Sequence, residues 1–310
     1  MKILITGAAG FIGSNSVDFL TRRYHKVLAL DNFSTGKLEN LSEFKGKVEP
    51  CDITDLKHLD QVFGDFRPKA VLHLAAQSAI TTSILDPQKD LSVNALGTLN
   101  VLMMARKYNV SKFVFSSTSA VYGAGNRFFS SKESDCCIPN NPYGISKLSA
   151  ENYIRTTFKD HVILRYANVY GQRQQPVGQN QVIARAFRHF LFGDDFTVNG
   201  NGDQKRDFVH VSDICNANFL ALTGNFTGTF NIASGKSFSV NTVLSEIAEI
   251  YGVSAYQWLH NDNTDERGNV HISSRYTAKR IGWKAYISLK NGLELTKTWW
   301  DNVKTDKGNR

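Results

Sequence analysis

The sequence predicts an α/β fold, in which a doubly wound parallel sheet of about seven strands is joined to a smaller C-terminal lobe. Three observations carry this prediction. Short apolar segments alternate with helical ones through the first half, glycines recur directly after the first apolar segment, and 310 residues suffice for one large domain or two modest ones. Strands that alternate with helices form parallel sheets covered on both faces.

The elements of this sheet can be placed in chain order. The strand-like runs of the first half are Lys2–Thr6, Lys26–Leu30, Lys47–Cys51, Ala70–Leu74, Lys112–Ser117 and Val162–Tyr166. Helical patterns lie between them, as at Ile12–Tyr24 and Pro87–Tyr108. A seventh strand, Gly228–Ala233, is expected to rejoin the sheet.

The smaller lobe is expected from two separate segments. The first is rich in Gly, Gln and Asn and has one helix near Gln181–Phe192, and the second contains a helix at Val240–Tyr251 and a final one ending in Trp299–Trp300. The predicted division is therefore residues 1–166 with 208–236 in the sheet domain, and 167–207 with 237–310 in the smaller lobe.

Composition narrows the function classes. No apolar run approaches the ~20 residues of a membrane helix, and the apolar start is too short for a signal peptide, so we expect a cytoplasmic protein without membrane contact. The four cysteines show no metal-ligand spacing, so no bound metal is expected. We expect the four thiols to be reduced. The net charge is +8, and the lysines and arginines are scattered along the chain, so no nucleic-acid site is indicated. The positive charge agrees either with an ordinary soluble surface or with binding of an anionic small molecule.

The segment KILITGAAGFIGS places Gly7, Gly10 and Gly13 between a short apolar strand and an apolar-faced helix. Glycines at this spacing permit a tight turn, close approach of the backbone to a pyrophosphate, and close packing of the helix on the strand. The phosphate then lies at the positive end of the helix. A lone glycine triplet is weak evidence for a nucleotide site, but its position between a strand and a helix predicts a dinucleotide-binding site here.

Two carboxylates follow later strands of the same region. Asp31 ends the second strand, where it can accept both ribose hydroxyls of NAD and repel the extra phosphate of NADP. The alternative is a residue that only caps the loop. Asp52, after the third strand, can accept a hydrogen bond from the adenine amine, although that signal is weak alone.

The segment NNPYGISKLSAENYI predicts a helix that starts with Asn141 as the N-cap and Pro142 in the first turn. Tyr143 and Lys147 are four residues apart and therefore share one helix face. Tyrosine is a poor base at its ordinary pKa of about 10, but a neighbouring ammonium and the helix N-terminus favour the tyrosinate. An unrelated surface Tyr and Lys is the alternative for an isolated pair.

These segments together resemble the extended short-chain dehydrogenases/reductases that act on nucleotide sugars. The matching pieces occur in the family's order and span nearly the whole chain: TGAAGFIG, LDNFSTG, DITD, HLAAQ, DPQKDLSVNALGTLNVL, SSTSAVYG, YGISK, LRYANVYG, GDQKRDFVHVSD and IGWKAYISLKNGLE. The resemblance implies a Rossmann-type domain that binds NAD and a C-terminal lobe that binds the sugar nucleotide.

The resemblance also implies roles for single residues. Tyr143 takes the proton of the sugar 4-hydroxyl as hydride passes to NAD, Lys147 holds the nicotinamide ribose, and Thr118 hydrogen-bonds the same hydroxyl. His73 is interpreted as a support for its strand end. The residues expected around the cofactor are Gly7, Gly10, Phe11, Ile12, Gly13, Asp31, Asn32, Ser34, Gly36, Asp52, Ile53, Leu74, Ala75, Ala76, Gln77, Asn94, Ser116, Tyr143, Lys147, Tyr166 and Val169.

The reaction is indicated by the residues after Thr118. In the related 4,6-dehydratases and UDP-glucuronate decarboxylases a Glu, or an Asp-Glu pair, follows the catalytic Thr or Ser, whereas here Ser119 and Ala120 follow. Neither can replace a carboxylate, so 4-epimerisation is predicted. A 4-keto-sugar reductase is the runner-up, disfavoured by Asp31 because such enzymes usually use NADPH. A silent NAD-binding scaffold is disfavoured by the intact Thr118, Tyr143 and Lys147.

The substrate-binding residues also follow from the resemblance. Asn168 and Arg206 match positions that contact the diphosphate, Arg267 matches one with a displacement of one residue, and Val182 lies in a segment like that beside the uracil of UDP-sugars. Ser273 falls where a small residue leaves room for an N-acetyl group, so both plain and N-acetylated UDP-hexoses are expected. The alternative is that Ser273 only caps a helix beginning near Tyr276.

A homodimer is predicted from the segment Pro87–Tyr108, which is apolar almost all round. Such a helix is buried on several sides. One side can pack on the sheet and another on a partner's helix, together with the helix of Tyr143, in the four-helix contact of the family. Burial under another loop of the same chain is the alternative.

Overall fold

A computed structural model of the chain describes residues 1–124, 130–176, 181–253, 256–262 and 270–308, with side chains through 303. The strands are β1 (Lys2–Thr6), β2 (Lys26–Asp31), β3 (Lys47–Pro50), β4 (Ala70–His73), β5 (Lys112–Thr118), β6 (His161–Tyr166), β7 (Asn168–Tyr170), β8 (Thr197–Asn199), β9 (Lys205–His210), β10 (Gly228–Ile232), β11 (Ser237–Ser239) and β12 (Leu259–Asn261).

The α-helices alternate with these strands through the first half and cluster in the second. They are α1 (Phe11–Thr21), α2 (Leu56–Phe66), α3 (Ile80–Leu85), α4 (Pro87–Leu91), α5 (Thr98–Lys107), α6 (Pro142–Thr157), α7 (Val182–Phe192), α8 (Val211–Thr223), α9 (Val240–Ile250), α10 (Arg275–Ile281) and α11 (Leu289–Gly308).

Seven strands form one parallel sheet in the order β10-β6-β5-β4-β1-β2-β3. The predicted fold class is confirmed, and each of the seven predicted strands occurs within a residue or two of its expected bounds. The chain winds outward from β1 in one direction and from β4 in the other. The crevice between the carboxyl ends of β1 and β4 is therefore the point where an open α/β sheet binds its ligand.

Burial explains why the inner strands are apolar along their length. One core fills the face covered by α1 and α8, and a second fills the face covered by α2, α5 and α6. Alternate residues of each strand enter opposite cores, as Ile3 and Ile5 do on one side and Leu4 on the other. A sheet buried on both faces needs such continuous apolar runs.

The predicted helix Pro87–Tyr108 is continuous but not uniform. Between α4 and α5 the residues Ser92–Gly97 form a π-helical turn. A π turn adds one residue to a helical turn and occurs frequently at functional sites. Sequence periodicity did not reveal it because the segment is apolar on nearly every side.

The second half of the chain adds a third core. Two short sheets, β11-β9-β7 and β12-β8, lie with α7, α9 and α11 around Tyr170, Phe187, Leu244 and Trp300, together with their apolar neighbours. The boundaries proposed above for the two domains stay a prediction. No helix in the described part of the chain is long and apolar enough to cross a membrane.

Candidate active site

The turn between β1 and α1 can exist only with glycine at two positions. Gly7 has a φ of +68°, and a Cβ atom there would lie 2.6 Å from the backbone nitrogen of Ala75. A Cβ atom on Gly13 would lie 1.9 Å from the carbonyl oxygen of Gly7. The helix N-terminus therefore packs directly against the strand, and its first amides have no side-chain cap at Gly10. Such free amides fit a phosphate.

Asp31 lies at the carboxyl end of β2, beside this turn. Its two oxygens accept hydrogen bonds from the backbone amides of Ala9 and Phe33, each at 2.8 Å. The side chain is buried, which raises its pKa, while these amides oppose the rise. Each oxygen keeps one lone pair, so the carboxylate can also accept two hydroxyls. A Cβ on Gly36 would lie 2.9 Å from both oxygens, so Gly36 keeps this approach open.

Asn32 and Asp52 are joined at the ends of β2 and β3. The amide of Asn32 donates to Asp52 at 2.6 Å, and the backbone and hydroxyl of Thr54 donate to the other oxygen at 2.8 and 2.7 Å. Burial raises the pKa of Asp52, but these hydrogen bonds outweigh it and the net shift is downward. Asn32 also accepts from the amide of Ser34 at 3.0 Å. The four residues thus form one polar rim.

His73 supports the end of β4 through two hydroxyls. The Thr98 hydroxyl donates to the carbonyl of Asn94 at 2.6 Å and so accepts from Nε2–H of His73 at 2.9 Å. The other ring nitrogen, Nδ1, then accepts from Thr6 at 2.6 Å. Burial, with the nearby Lys147, lowers the pKa of His73 to about 3, so the ring stays neutral. These contacts are those of a structural histidine.

The turn after β4 is bound to the π turn. Asn94 accepts from the amide of Gln77 at 2.9 Å, and its own amide donates to the Gln77 carbonyl at 2.9 Å. The predicted cofactor residues Leu74, Ala75 and Ala76 precede Gln77 and are half-buried at this edge. The wide helical turn is what lets Asn94 reach them.

Thr118, Tyr143 and Lys147 meet at the carboxyl end of β5. The side chain of Asn141 accepts from the amide of Gly144 at 2.9 Å, which begins α6 as the sequence predicts. Tyr143 is hydrogen-bonded to Thr118, and burial raises the pKa of its phenol to about 12 despite that bond. Lys147 is 2 % exposed, with its ammonium 4.2 Å from the ring centre of Phe115. Burial lowers the pKa of Lys147 to about 7, against the carboxylates of Glu151 and Asp90.

The residues after Thr118 form a short 3-10 turn, Ser119–Tyr122. Thr118 Oγ1 accepts from the amide of Ala120 at 3.1 Å and so caps this turn. Its hydroxyl proton is left for Tyr143 or for a substrate oxygen. The site thus combines a hydroxyl, a phenol and a buried ammonium at one sheet edge.

Sequence reasoning missed a buried ion pair behind this site. Glu151 is fully buried and accepts from Arg165 at 2.9 and 2.7 Å, from Ser117 at 2.5 Å, and from Arg155. Arg165 also donates to the Tyr122 hydroxyl at 2.8 Å. The available signal was the spacing of four from Tyr143 through Lys147 to Glu151, which places all three on one face of α6.

The predicted substrate residues come from separate elements. Asn168 of β7 donates to the carbonyl of Asp207 at 3.1 Å, Arg206 of β9 is 6 % exposed, and Val182 is the first residue of α7. Arg267 lies outside the described residues. The roles of Asn168, Val182 and Arg206 toward a substrate stay predictions.

Ser273 is held by its main chain. Its amide donates to the carbonyl of Ser131 at 2.9 Å, and its carbonyl accepts from Asn231 at 3.0 Å. The Ser273 hydroxyl accepts from the amide of Arg275 at 3.5 Å, where α10 begins, which agrees with the helix-capping alternative. The side chain is half-buried, and its role toward a sugar stays a prediction.

Some predicted cofactor residues can contact a ligand only through their main chain. Tyr166 donates its hydroxyl to Asn218 on α8 at 2.5 Å, within the core. The side chain of Ile53 is buried against the π turn, where a Cβ on Gly97 would lie 2.6 Å from its Cδ1. Phe11, Ile12, Ser116 and Val169 are each half-buried along the crevice edge.

Comparison with known proteins agrees with this geometry. Residues 3–233 match the model of the NAD dependent epimerase/dehydratase family. A relative from Methanocaldococcus jannaschii, described as a putative UDP-glucose 4-epimerase, is 37% identical over 97% of this chain and 98% of its own. The crystal structure of UDP-glucose 4-epimerase with UDP-glucose from Thermotoga maritima has a TM-score of 0.92 and 35% identity, covering 98% of this chain and 99% of that one.

A third similar structure is a UDP-N-acetylglucosamine 4-epimerase from Methanobrevibacter ruminantium in complex with UDP-N-acetylmuramic acid. It has a TM-score of 0.88 and 30% identity, covering 97% of this chain and 98% of that one. The family match covers most of the chain, and the glycine turn, Asp31 and the Thr118–Tyr143–Lys147 group have the geometry that NAD chemistry needs. The chain therefore belongs to the NAD dependent epimerase/dehydratase family, within the extended short-chain dehydrogenases/reductases.

Proposed function

We propose that this protein catalyses the 4-epimerisation of a UDP-hexose through a transient 4-keto sugar, with NAD as its cofactor. The observation that carries this proposal is the site at the end of β5. There Tyr143 is hydrogen-bonded to Thr118 with Lys147 one turn further along α6, and Ser119 and Ala120 stand where an elimination would need carboxylates. The similarity to proteins named UDP-glucose 4-epimerases supports the same reaction.

The first chemical step moves the proton of the sugar 4-hydroxyl. Tyr143 accepts it as the phenolate, and Thr118 donates its own hydroxyl proton toward the same oxygen. A phenol whose pKa burial raises to about 12 is rarely ionised at neutral pH, so charge beside it must favour the phenolate. Lys147 supplies one such charge from one turn away on the same helix face.

NAD, when bound along the glycine turn, supplies a hydride acceptor for C4 that is regenerated in each cycle. The residues that would hold it are the amides after Gly10 for the pyrophosphate, Asp31 for the adenosine ribose and Lys147 for the nicotinamide ribose. After the keto sugar turns to present its other face, hydride returns to C4 on that face and Tyr143 returns its proton to the 4-oxygen. The cycle ends with the enzyme in its starting protonation state, as an isomerase requires.

The substrate diphosphate is expected to lie beside the paired strands β7 and β9. Arg206 offers a guanidinium for bidentate contact, Asn168 offers an amide, and Arg267 is proposed as a further cation. The uracil is proposed to lie beside Val182 at the start of α7. Ser273 leaves room at C2 of the sugar, so N-acetylated and plain UDP-hexoses are both proposed as substrates, in line with the similarity to a UDP-N-acetylglucosamine 4-epimerase.

The quaternary state is proposed to be a homodimer in the cytoplasm. Apolar side chains are exposed along one side of α4–α5, at Leu91, Leu96 and Met103, and on α6 at Ile145 and Tyr153. Together these two helical segments form an apolar surface of the kind that a four-helix contact buries. Sedimentation of wild type and of Leu96→Glu tests this, since a charge at the centre of such a contact should give monomers. A wild-type protein that sediments as a monomer at micromolar concentration would refute the dimer.

The reaction is tested by incubating the purified protein with UDP-galactose and, separately, with UDP-N-acetylgalactosamine. Proton NMR should show interconversion with the 4-epimer to equilibrium, with no net change in NADH absorbance. Stoichiometric consumption of NADPH with a 4-keto sugar would instead support the reductase. Retained NAD without turnover of either UDP-sugar would support the silent scaffold.

A further inference from the structure

A second buried carboxylate lies behind the site, on the short helix α4. Asp90 is 0 % exposed. One of its oxygens accepts from the amides of Gln77 at 2.9 Å and Asn94 at 3.0 Å, and the other accepts from the Ser146 hydroxyl at 2.5 Å. All three donors are neutral. Asp90 forms no ion pair with a lysine, arginine or histidine anywhere in the part of the chain that the structure describes.

Burial of an unpaired carboxylate costs several kcal/mol unless a nearby positive charge offsets it. The donors of Asp90 bind it to the site itself. Ser146 immediately precedes Lys147 and also donates to the Tyr143 carbonyl at 3.0 Å, while Asn94 donates to Ser146 at 3.1 Å. The carboxylate is thus hydrogen-bonded to the residue that precedes Lys147, and it is one of the two anions that act on the buried ammonium.

The charged and titratable groups around Lys147 come from three elements, and the charge of each can be stated. From β4 comes His73, which is neutral, and from β5 comes the ring of Phe115. From its own helix comes Glu151, but that carboxylate is already paired with Arg165 and Arg155, two cations for one anion. The phenol of Tyr143 is uncharged at neutral pH. Asp90 is the one anion in this set that lacks a cation of its own.

Resting on the proposed function, we propose that Asp90 is the counter-charge that favours the ammonium form of Lys147 during the catalytic cycle. It acts as a positioning residue, because it touches Ser146, Asn94 and Gln77 rather than the reacting atoms. The π turn supports this arrangement, because it places Asn94 where it hydrogen-bonds both Asp90 and the turn after β4.

The same charge acts on both titrating groups in one direction. The Asp90 carboxylate raises the pKa of Lys147 and the pKa of Tyr143. Activity needs Lys147 protonated, so it falls as pH rises through the lysine pKa. Activity needs Tyr143 as a proton acceptor, so in the NAD complex it falls as pH drops through the tyrosine pKa, which the neighbouring positive charges lower. Removal of Asp90 lowers both values, and both limbs of the pH–rate profile must move toward lower pH.

The test is Asp90→Asn, which the hydrogen bonds can accommodate. The retained oxygen still accepts from Gln77 and Asn94, and the new amide donates to Ser146, whose hydroxyl then donates only to the Tyr143 carbonyl. We expect both limbs of the kcat profile to move down by about one pH unit, a typical effect of one nearby charge. The matched control is Asp86→Asn, the same charge change on the exposed N-cap of α4, where Asn caps equally well. It should leave the profile unmoved.

A second measurement needs no turnover. With lysine labelled at the ε-carbon with ¹³C, the Lys147 resonance is identified by its loss in Lys147→Arg, and its titration is followed by NMR. The midpoint should be near 7 in wild type and lower by about one unit in Asp90→Asn. This readout separates the two proposals, because a wild type that epimerises nothing refutes the function while the lysine titration still tests the counter-charge.

Two results would overturn the counter-charge. One is an Asp90→Asn enzyme with lower kcat but unmoved pH limbs and an unmoved lysine titration, which would make Asp90 a purely structural support. The other is failure of both Asp90→Asn and Asp90→Ser to fold while Ser146→Ala folds, which would assign the carboxylate to the stability of the fold rather than to Lys147.

Discussion

The two sides of the crevice are built in different ways. On the cofactor side, Gly7, Gly13 and Asp31 follow neighbouring strands of one parallel sheet, and each is placed by a turn of a few residues. On the proposed sugar side, Arg206 lies on the middle strand of a three-stranded sheet, and Ser273 lies in a distant segment that is held by hydrogen bonds to Ser131 and Asn231. The cofactor side is therefore determined by backbone geometry, whereas the proposed sugar side depends on side chains that other residue types can replace without a change of the backbone.

The junction of the two sides should give the largest effect. Tyr143→Phe removes only the phenol oxygen, so kcat should fall about 10²- to 10⁴-fold, the usual contribution of a general acid–base. NAD content after purification should stay at the wild-type level. Tyr24→Phe, at an exposed position outside the proposed dimer contact, is the control. Near wild-type turnover by the Tyr143→Phe enzyme would rule out the mechanism.

On the sugar side, Arg206→Ala should raise the substrate KM about 10- to 100-fold, since hydrogen bonds to charged groups contribute about 1.5–3 kcal/mol. Retained NAD should not change. Arg267→Ala offers the sharper comparison in steady-state kinetics. An unchanged KM in that variant, beside a large rise for Arg206→Ala, would remove Arg267 from the phosphate site.

On the cofactor side, Gly13→Ala should lower the free energy of unfolding by about 1–3 kcal/mol, because the added Cβ overpacks the turn. The variant should also retain less bound NAD after purification than the wild type. Thr21→Ala, exposed at the end of the same helix, is the control for a general effect on α1. Urea denaturation measures the difference, and equal stability of the two variants would show that the turn can relax.

A smaller effect is expected at Asp31. Asp31→Ala should weaken the binding of NAD about tenfold, because the ribose loses a charged hydrogen-bond acceptor. It should also narrow the preference for NAD over NADP, because the repulsion of a 2′-phosphate is removed. The variant also loses the acceptor for Ala9 and Phe33, so its unfolding should be measured alongside. Fluorescence titration with both cofactors measures the preference. An unchanged preference would exclude Asp31 from the ribose site.

The smallest overall effect is expected at Ser273. Ser273→Tyr should suppress turnover of N-acetylated UDP-hexoses more than that of the plain ones, because steric exclusion acts only where the acetyl group must fit. Competition assays with both sugar types give the ratio. Equal losses on both, or a wild type inactive on either acetylated sugar, would show that Ser273 only helps to begin α10.

Local sequence was enough to predict the sheet, the glycine turn and the start of α6 at Asn141. These depend on short-range causes: alternating burial, a left-handed glycine and a capping side chain. The surroundings of the catalytic pair came from the folded chain alone. Glu151 meets Arg165 across 14 positions, and Asp90 meets Ser146 across 56. The spacing of four along α6 marks the helix face that carries Glu151, but it does not identify a partner for either carboxylate. A buried polar contact depends on which strands and helices become neighbours, and that is a property of the whole fold.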